Sequence, residues 1–581
     1  MRKTLKTMVV LVLAVAFMTA AAPVLAQMTE VPPQGSTAAV EESFNERGAP
    51  RPEELPEIVI QEETGRTLKG GEGVTFHLEA IRFEGNRIYT DEKLERQLWE
   101  YIDGIVEVSA LQMLANDITR FYKEQGYFLT RAYLPPQTIK DGEILIKVRE
   151  GRLGEIIIRG NKRYSRDLIR NTLKIVRGEG AVRTTDVERG LLLLTDIPGL
   201  NVKATFKPGE KPGTSDIVLD VSEEYPVHAS LDFNNFGSEF VSRERYGATG
   251  SVYNLTGLGD SFTLRFVTGN GFIDEMYYIR GEWVQPLGYS GTRLGLYYQH
   301  LYYELGAEAE ILDFSSRTNA GGLYVKHPFI RGRYLNWYVS GGFELKNVKN
   351  EIATYNNVGE DKIRAANVGT SLQWVDVFGG ANNVGLRGYQ YFSGVFGGMD
   401  EAHNDTVRIP TEVVSSKFEV DASRIQDLWG HASLILAGRG QWSPDRLASS
   451  EMIAVGGSST VRGFEQGEYT GDSGYYLTAE AQVPIPGTRN IRWYDTGKTV
   501  FDTLALAAFY DYGFVSINDK LRAERLIDDT EISGLGVGLR FNYDPYVKLR
   551  VDWAKSVGET EPRDESVEQN GIWYIQCQVS Y

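Results

Sequence analysis

Cysteine is almost missing from this sequence, with one thiol, Cys577, in 581 residues. A disulfide within one chain is thereby excluded, whatever the redox state of the compartment. Long apolar runs are missing as well. Beyond the N-terminus no stretch reaches the roughly 18–20 unbroken apolar residues of a membrane helix. Positive charge is in deficit, with 61 Lys and Arg against 78 Asp and Glu, a net −17. That balance argues against a nucleic-acid partner, which needs a basic footprint. There is no HExxH, no Walker loop and no cysteine cluster, so no metal, cofactor or catalytic residue is expected.

Two segments imitate catalytic motifs. Gly471-Asp472-Ser473-Gly474 echoes a serine-protease nucleophile segment, but that chemistry needs a His base and a buried Asp. The six histidines stand in no matching context, so the segment reads as a turn. Gly534-Leu535-Gly536-Val537-Gly538 lacks the strand–turn–helix setting of a dinucleotide loop. Small residues of this kind relieve crowding in a curved strand. The expectation is a protein that is not an enzyme.

What the chain does contain is glycine and aromatic residues: 62 Gly, 32 Tyr and 25 Phe. Residues 1–26 read as a secretory signal peptide, with Arg2, Lys3 and Lys6 ahead of a short apolar run and a small-residue cleavage site before Gln27. Residues 27–73 form an acidic, Pro-rich linker. Within it, Ser36 to Arg47 is either a short helix, with Val40 and Phe44 at i,i+4, or without structure.

Two mixed units follow, at 74–151 and 152–224, each in the order β-α-α-β-β. In the first, Thr90 is placed to cap a helix running through Trp99. A second helix, Ser109 to Gln125, carries Leu111, Leu114, Ile118 and Phe121 on one face and stops at Gly126. In the second unit, Thr185 and Glu188 have capping-box spacing. Both units carry a Gly-Asn turn after their first strand, so they read as a repeat.

From 225 to 581 no helix is expected. Segments of about ten residues alternate apolar and polar side chains between Gly, Asp and Asn turns, as lipid outside and water inside a transmembrane barrel require. About sixteen segments can be counted, starting near Pro226, Arg243, Ser261, Asp274, Thr292, Ser316, Tyr334, Lys362, Asn383, Glu412, His431, Gly474, Thr503, Glu531, Tyr546 and Ile572. The fold class is therefore an all-β transmembrane barrel of about 16 antiparallel strands behind two α+β domains. In the last strand Trp573, Ile575, Cys577, Val579 and Tyr581 share the lipid face. Near the thirteenth strand Leu504, Leu506, Ala508, Tyr510 and Tyr512 point outward, and Phe509 and Asp511 point into the lumen. Glu480 also faces inward.

"FYKEQGYFLTRAYLPPQ" and the strand–helix order of both units resemble the POTRA domain, a periplasmic module that holds unfolded polypeptide. Together with the barrel and "VRGF" at Val461 to Phe464, the chain resembles a two-partner secretion transporter of the TpsB type, within the POTRA-plus-barrel superfamily. The resemblance implies that Val461, Arg462, Gly463 and Phe464 tip a sixth extracellular loop folded back into the barrel. It also implies that Arg462 pairs with Asp511 of the Phe-x-Asp element at Phe509, with Glu480 as rival or additional partner. Read without it, Arg462 is a solvated loop charge.

The implied function is export of a large unfolded partner of haemolysin or adhesin type from periplasm to surface by type Vb secretion. A barrel-assembly insertase of the BamA/TamA type is the alternative. Capture by strand addition to a POTRA edge places Thr130, Ala132 and Leu134, and Val202, Ala204 and Phe206, at the contact. The implied partners are the secreted protein, outer-membrane lipid and the barrel assembly machinery, with the chain itself monomeric in a Gram-negative outer membrane. A plug helix common in the family has one candidate here, Ser36 to Arg47, short for a pore.

Overall fold

Alternation along the strands decides the larger part of the molecule. A computed structural model describes residues 33–42, 58–60, 73–176, 180–355, 357–400, 408, 411–493, 497–518 and 529–581. The leader reading at 1–26 and most of the linker lie outside the described residues.

Sixteen antiparallel strands close into a barrel. Closure pairs the first strand, Val227–Asn234, with the last, Ile572–Ser580, with Ser230 opposite Ser580. Period two is visible in the burial. In strand Leu504–Ser516, Leu506 and Tyr510 are exposed while Phe509 and Asp511 are buried. The expected starts at Ser261 and Ile572 coincide with the observed ones. The eighth strand begins at Asn357 rather than near Lys362. Its leading residues, Asn357 to Asp361, extend it by pairing with Val348 to Ile352 rather than by alternation: Val348 sits opposite Asp361 and Ile352 opposite Asn357. Strand pairing there is set by the neighbouring backbone, which a hydrophobic pattern does not report.

The first mixed unit has the sheet order Ala80–Glu84, Glu143–Arg149, Arg131–Tyr133. Its long helix, Leu111–Glu124, buries Leu111, Leu114, Ile118 and Tyr122 on that sheet. The helix expected to run through Trp99 stops at Glu95, and Thr90 makes no side-chain cap. Trp99 is exposed, so nothing apolar holds another turn. Asp103 takes a left-handed φ of 61° and leads into an additional strand, Gly104–Glu107, which pairs with Thr75–Leu78.

The second unit has helices Arg166–Thr172 and Thr184–Thr195 against strands Arg152–Arg159, Leu200–Pro208 and Thr214–Glu223. The capping box expected from Thr185 and Glu188 does not form, because the helix begins at Thr184. Thr184 instead donates its backbone N–H (2.8 Å) and its hydroxyl (3.0 Å) to the carbonyl of Gly126. The helix start is thus docked on the end of the first unit's helix.

The repeated Gly-Asn turn has a repeated cause. Asn86 donates to the Tyr89 carbonyl at 2.9 Å and Asn161 to the Tyr164 carbonyl at 3.1 Å. The end of each unit's last strand, or the residue just past it, supplies a glutamate to the turn. Glu150 accepts from the N–H groups of Arg87 (2.7 Å) and Ile88 (2.8 Å). Glu223 accepts from those of Lys162 (2.7 Å) and Arg163 (3.0 Å). Burial works to raise the Glu223 carboxyl; the N–H groups of Lys162, Tyr164 and Arg163 and the Arg163 guanidinium outweigh it and hold the group below the usual carboxylate range. Gly85 and Gly160 have φ of 94° and 87°, where a side chain would be strained.

Neither sheet edge expected to receive a partner strand stands open. In the first unit, the Ala132 N–H is taken by the Thr119 hydroxyl at 2.9 Å, and Thr130 and Ala132 are buried. In the second, residues Ile58–Ile60 of the linker add a parallel strand to Leu200–Pro208, placing Val59 opposite Thr205. Val202, Ala204 and Phe206 point into the hydrophobic core instead of offering side-chain pockets. The strand forms as expected, but its inward face packs on the helices. Val59→Pro should release this added strand, since proline removes the N–H and is poorly tolerated in a sheet. Amide exchange across residues 202–206 should then accelerate while the unit's core helices stay protected; unchanged exchange would show that the pairing does not persist in solution.

The second unit is clamped beneath the barrel. Arg331 forks onto Asp196, with Nη2 to Oδ1 at 2.6 Å and Nε to Oδ2 at 3.0 Å. Arg189 donates to the carbonyls of Phe329 (3.1 Å) and Pro328 (3.0 Å). A short helix, Thr37–Glu42, does sit inside the barrel. Its Glu41 meets Lys346 at 2.7 Å, Val40 packs with Val241, Met276 and Tyr303, and Ala39 lies against Gly467. The continuation to Arg47 lies outside the described residues.

Candidate functional site

The connection between strands Ser433–Trp442 and Ser473–Pro484 contains a small hairpin, Ile453–Val455 with Tyr469–Gly471. Residues 456–468 form its tip, and all of them are buried although most are polar. Polar chain leaves water only where its groups find partners, and the lumen supplies them.

Val461 and Phe464 anchor the tip among Ile453, Val455, Val515 and Ile532. Between them, Arg462 is fully buried. Its Nε donates to Asp511 Oδ2 at 2.6 Å and its Nη2 to Asp511 Oδ1 at 3.0 Å, the two-pronged geometry that a planar guanidinium favours. The Arg462 backbone N–H adds a third bond to Asp511 at 3.1 Å. Nη1 reaches Glu480 Oε2 at 2.8 Å and Asp552 Oδ2 at 3.2 Å. The guanidinium lies 3.2 Å from the centre of the Phe509 ring, a cation–π contact shielded from water. Asp511 and Glu480 are therefore both partners, and Asp511 makes the larger number of bonds.

The network extends past the residues expected from the sequence. Arg540 bonds Glu480 at 2.9 Å and also contacts Asp552, and Arg550 reaches Asp552 at 2.8 Å. Three arginines thus balance three carboxylates. Tyr574 accepts from the Gly463 N–H at 3.0 Å and donates to the Phe464 carbonyl at 2.6 Å, closing the tip from the last strand. Lys548, Arg550 and Asp552 alternate in "VKLRVDW", so strand parity could have placed Asp552 in the lumen. No such signal singles out Tyr574.

Gly534 and Gly536, part of the glycine run expected to relieve crowding, form the floor under this tip. A Cβ on Gly534 would collide with the Arg462 carbonyl, and one on Gly536 would meet the Phe509 ring. Asp472 of the protease-like segment is buried and holds Arg408 through two bonds, at 2.6 and 3.0 Å. Among the described residues one acidic group has metal-like spacing, Glu239 with Glu465 and Asp564, and there Arg243 is already paired to Glu465. Beside the loop, a cavity of about 1150 Å³ occupies the lumen, with Ser458, Glu480, Arg540 and Arg550 in its wall.

The family model described as haemolysin secretion/activation protein ShlB/FhaC/HecB matches residues 213–541, and that of the POTRA domain, ShlB-type, matches 76–151. The heme/hemopexin transporter protein HuxB of Haemophilus influenzae is 26% identical over 480 residues, covering 81% of each chain. The outer membrane transporter CdiB of Escherichia coli O6:K15:H31 is 25% identical over 436 residues, 73% of this chain and 72% of that one. Among solved structures, CdiB from Escherichia coli superposes with a TM-score of 0.67 at 20% identity, covering 91% of this chain and 94% of that one. BamA from Haemophilus ducreyi gives 0.52 at 13% identity, over 87% of this chain and 100% of that one, which is a likeness of fold alone. The chain belongs to the haemolysin secretion/activation family ShlB/FhaC/HecB and is an outer-membrane transporter of the two-partner secretion type, with its POTRA domains in the periplasm.

Proposed function

We propose that the protein carries one large, unfolded partner polypeptide of haemolysin or adhesin type from periplasm to cell surface, without catalysis of its own. The working division is a leader at 1–26, a linker at 27–73, POTRA units at 74–151 and 152–224, and the barrel at 225–581. The observation that carries the reading is the buried loop tip. A polar hairpin held in the lumen by Arg462 stands beside a water-accessible cavity, while the second POTRA unit is clamped at the barrel's other mouth through Asp196 and Arg331. Val461, Arg462, Gly463, Phe464, Phe509, Asp511 and Glu480 form the lock, joined by Asp552, Arg540 and Tyr574. The lock fixes the loop that narrows the path, and folding of the emerged chain outside drives transport.

The periplasmic units receive the partner. The edge at 202–206 becomes available for strand addition only when Ile58–Ile60 leaves it. The barrel is inserted by the outer-membrane assembly machinery and acts as a monomer in lipid. Deletion of residues 74–151 tests the capture role. The barrel should still reach the membrane and keep its heat-modifiable mobility, while partner in the culture medium falls to background. Normal export by the deletion would remove capture from the first POTRA unit.

A further inference from the structure

The whole chain is acidic, with a net charge of −17. Its lumenal cavity is the reverse, lined by eight basic and four acidic side chains. The four carboxylates already have partners. Glu480 is held by Arg462 and Arg540. Glu419 meets Arg439 at 3.2 Å and Lys417 at 3.4 Å. Glu344 accepts from the Tyr297 hydroxyl, and Asp421 from Asn383 at 3.0 Å.

Two of the cations have no such pairing. Lys326 lies 4.4 Å above the Tyr338 ring, and Arg387 donates to the Tyr389 hydroxyl at 3.3 Å. Glu419 stands opposite Arg387 in the adjoining strand, but its ion pairs go to Lys417 and Arg439. Among the described residues neither forms a salt bridge. Lys326 stands directly opposite Arg293 in the adjoining strand. Like charges in facing positions of a sheet destabilise it, so this pairing costs the fold something. The clamp carboxylate Asp196 is committed to Arg331 by two bonds. Lys326 precedes Arg331 by five residues on the same strand, roughly 16 Å along it from the POTRA clamp at about 3.3 Å per residue. Arg387 lies six residues into the strand Ala381–Tyr391, which begins at that same end of the barrel, so both cations stand toward the end where an exported chain enters.

We propose that this entrance selects extended polypeptide rich in carboxylates, with Lys326 and Arg387 as the residues that receive its acidic stretches. The inference rests on the transport reading and names the chemistry of the transported chain. A low-dielectric wall lined by one sign of charge concentrates ligands of the other sign, and the effect weakens as salt screens it.

The test uses the full-length protein in detergent micelles and two fluorescein-labelled 20-residue peptides, one Glu/Gly/Ser and one Lys/Gly/Ser, read by anisotropy. The Glu-rich peptide should bind about tenfold more tightly at low ionic strength, and the preference should fade in high salt. Lys326→Glu with Arg387→Glu should abolish it. Lys326→Gln with Arg387→Gln should reduce it, and serves if the charge-reversed barrel does not assemble. Equal binding of the two peptides, or a preference undiminished in the Gln variant, overturns the proposal. Export is scored separately by deleting the whole gene and comparing secreted proteins. If that deletion leaves secretion unchanged, it is the transport reading that fails; if secretion is lost but the peptides bind equally, only the charge selection fails.

Discussion

Arg462→Ala should bring export close to background while the barrel still assembles. The side chain bridges three buried carboxylates, at 2.6 Å to Asp511, 2.8 Å to Glu480 and 3.2 Å to Asp552. Its removal leaves Glu480 and Asp552 to Arg540 and Arg550 and takes the two-pronged bond from Asp511. Breaking a buried, hydrogen-bonded pair by removing one member costs about 3–5 kcal/mol, because the remaining charge stays out of water. That loss falls on the loop, since the sixteen strands pair through backbone bonds that do not pass through Arg462. Heat-modifiable mobility should therefore survive, while the tip becomes accessible to protease from outside. Arg462→Lys should recover little, because an ammonium cannot make the fork to Asp511 and the contacts to Glu480 and Asp552 together. Secreted partner measured at equal barrel abundance checks the result, and normal export by the alanine variant would separate the lock from transport.

The second large effect is expected at Gly534, which no charge argument would select. Its Cβ position falls on the Arg462 carbonyl oxygen and lies 2.9 Å from the carbonyl carbon. Gly463, with φ of 99°, would in turn place a Cβ 2.6 Å from the Lys555 carbonyl carbon. Two backbones touch here, and neither can yield as a flexible side chain would. Gly534→Val should unseat the tip and imitate Arg462→Ala in export and protease sensitivity, with Gly534→Ala intermediate. Both changes release the same contact, so the double variant should be scarcely worse than either alone, as coupled sites behave. Additive losses would mean that the glycine and the arginine act on different steps.

These two residues show how unevenly the site was written in the sequence. Asp511 and Glu480 were placed in the lumen by strand parity, and Arg462 was joined to them by the family resemblance. Asp552 shares that parity, but one inward carboxylate looks like any other wet lumen residue until a partner is known. Tyr574 and Gly534 become functional only because a loop distant in sequence comes to rest on them. The POTRA edges illustrate the converse. Their strands were legible, but whether an edge is open depends on what packs beside it, and Thr119 and Ile58–Ile60 occupy the places expected for a partner.

The sequence by itself determined the barrel, because lipid outside and water inside impose a two-residue period on every strand, and it determined the POTRA repeat through two amphipathic helices and a duplicated Gly-Asn turn. The tertiary structure alone decided that the short helix Thr37–Glu42 lies within the lumen, that a polar loop is buried, and that three arginines and three carboxylates close on one another. Periodicity reports which face a residue occupies. Contact across a closed barrel depends on which faces meet, and that is fixed only when the first strand pairs with the last.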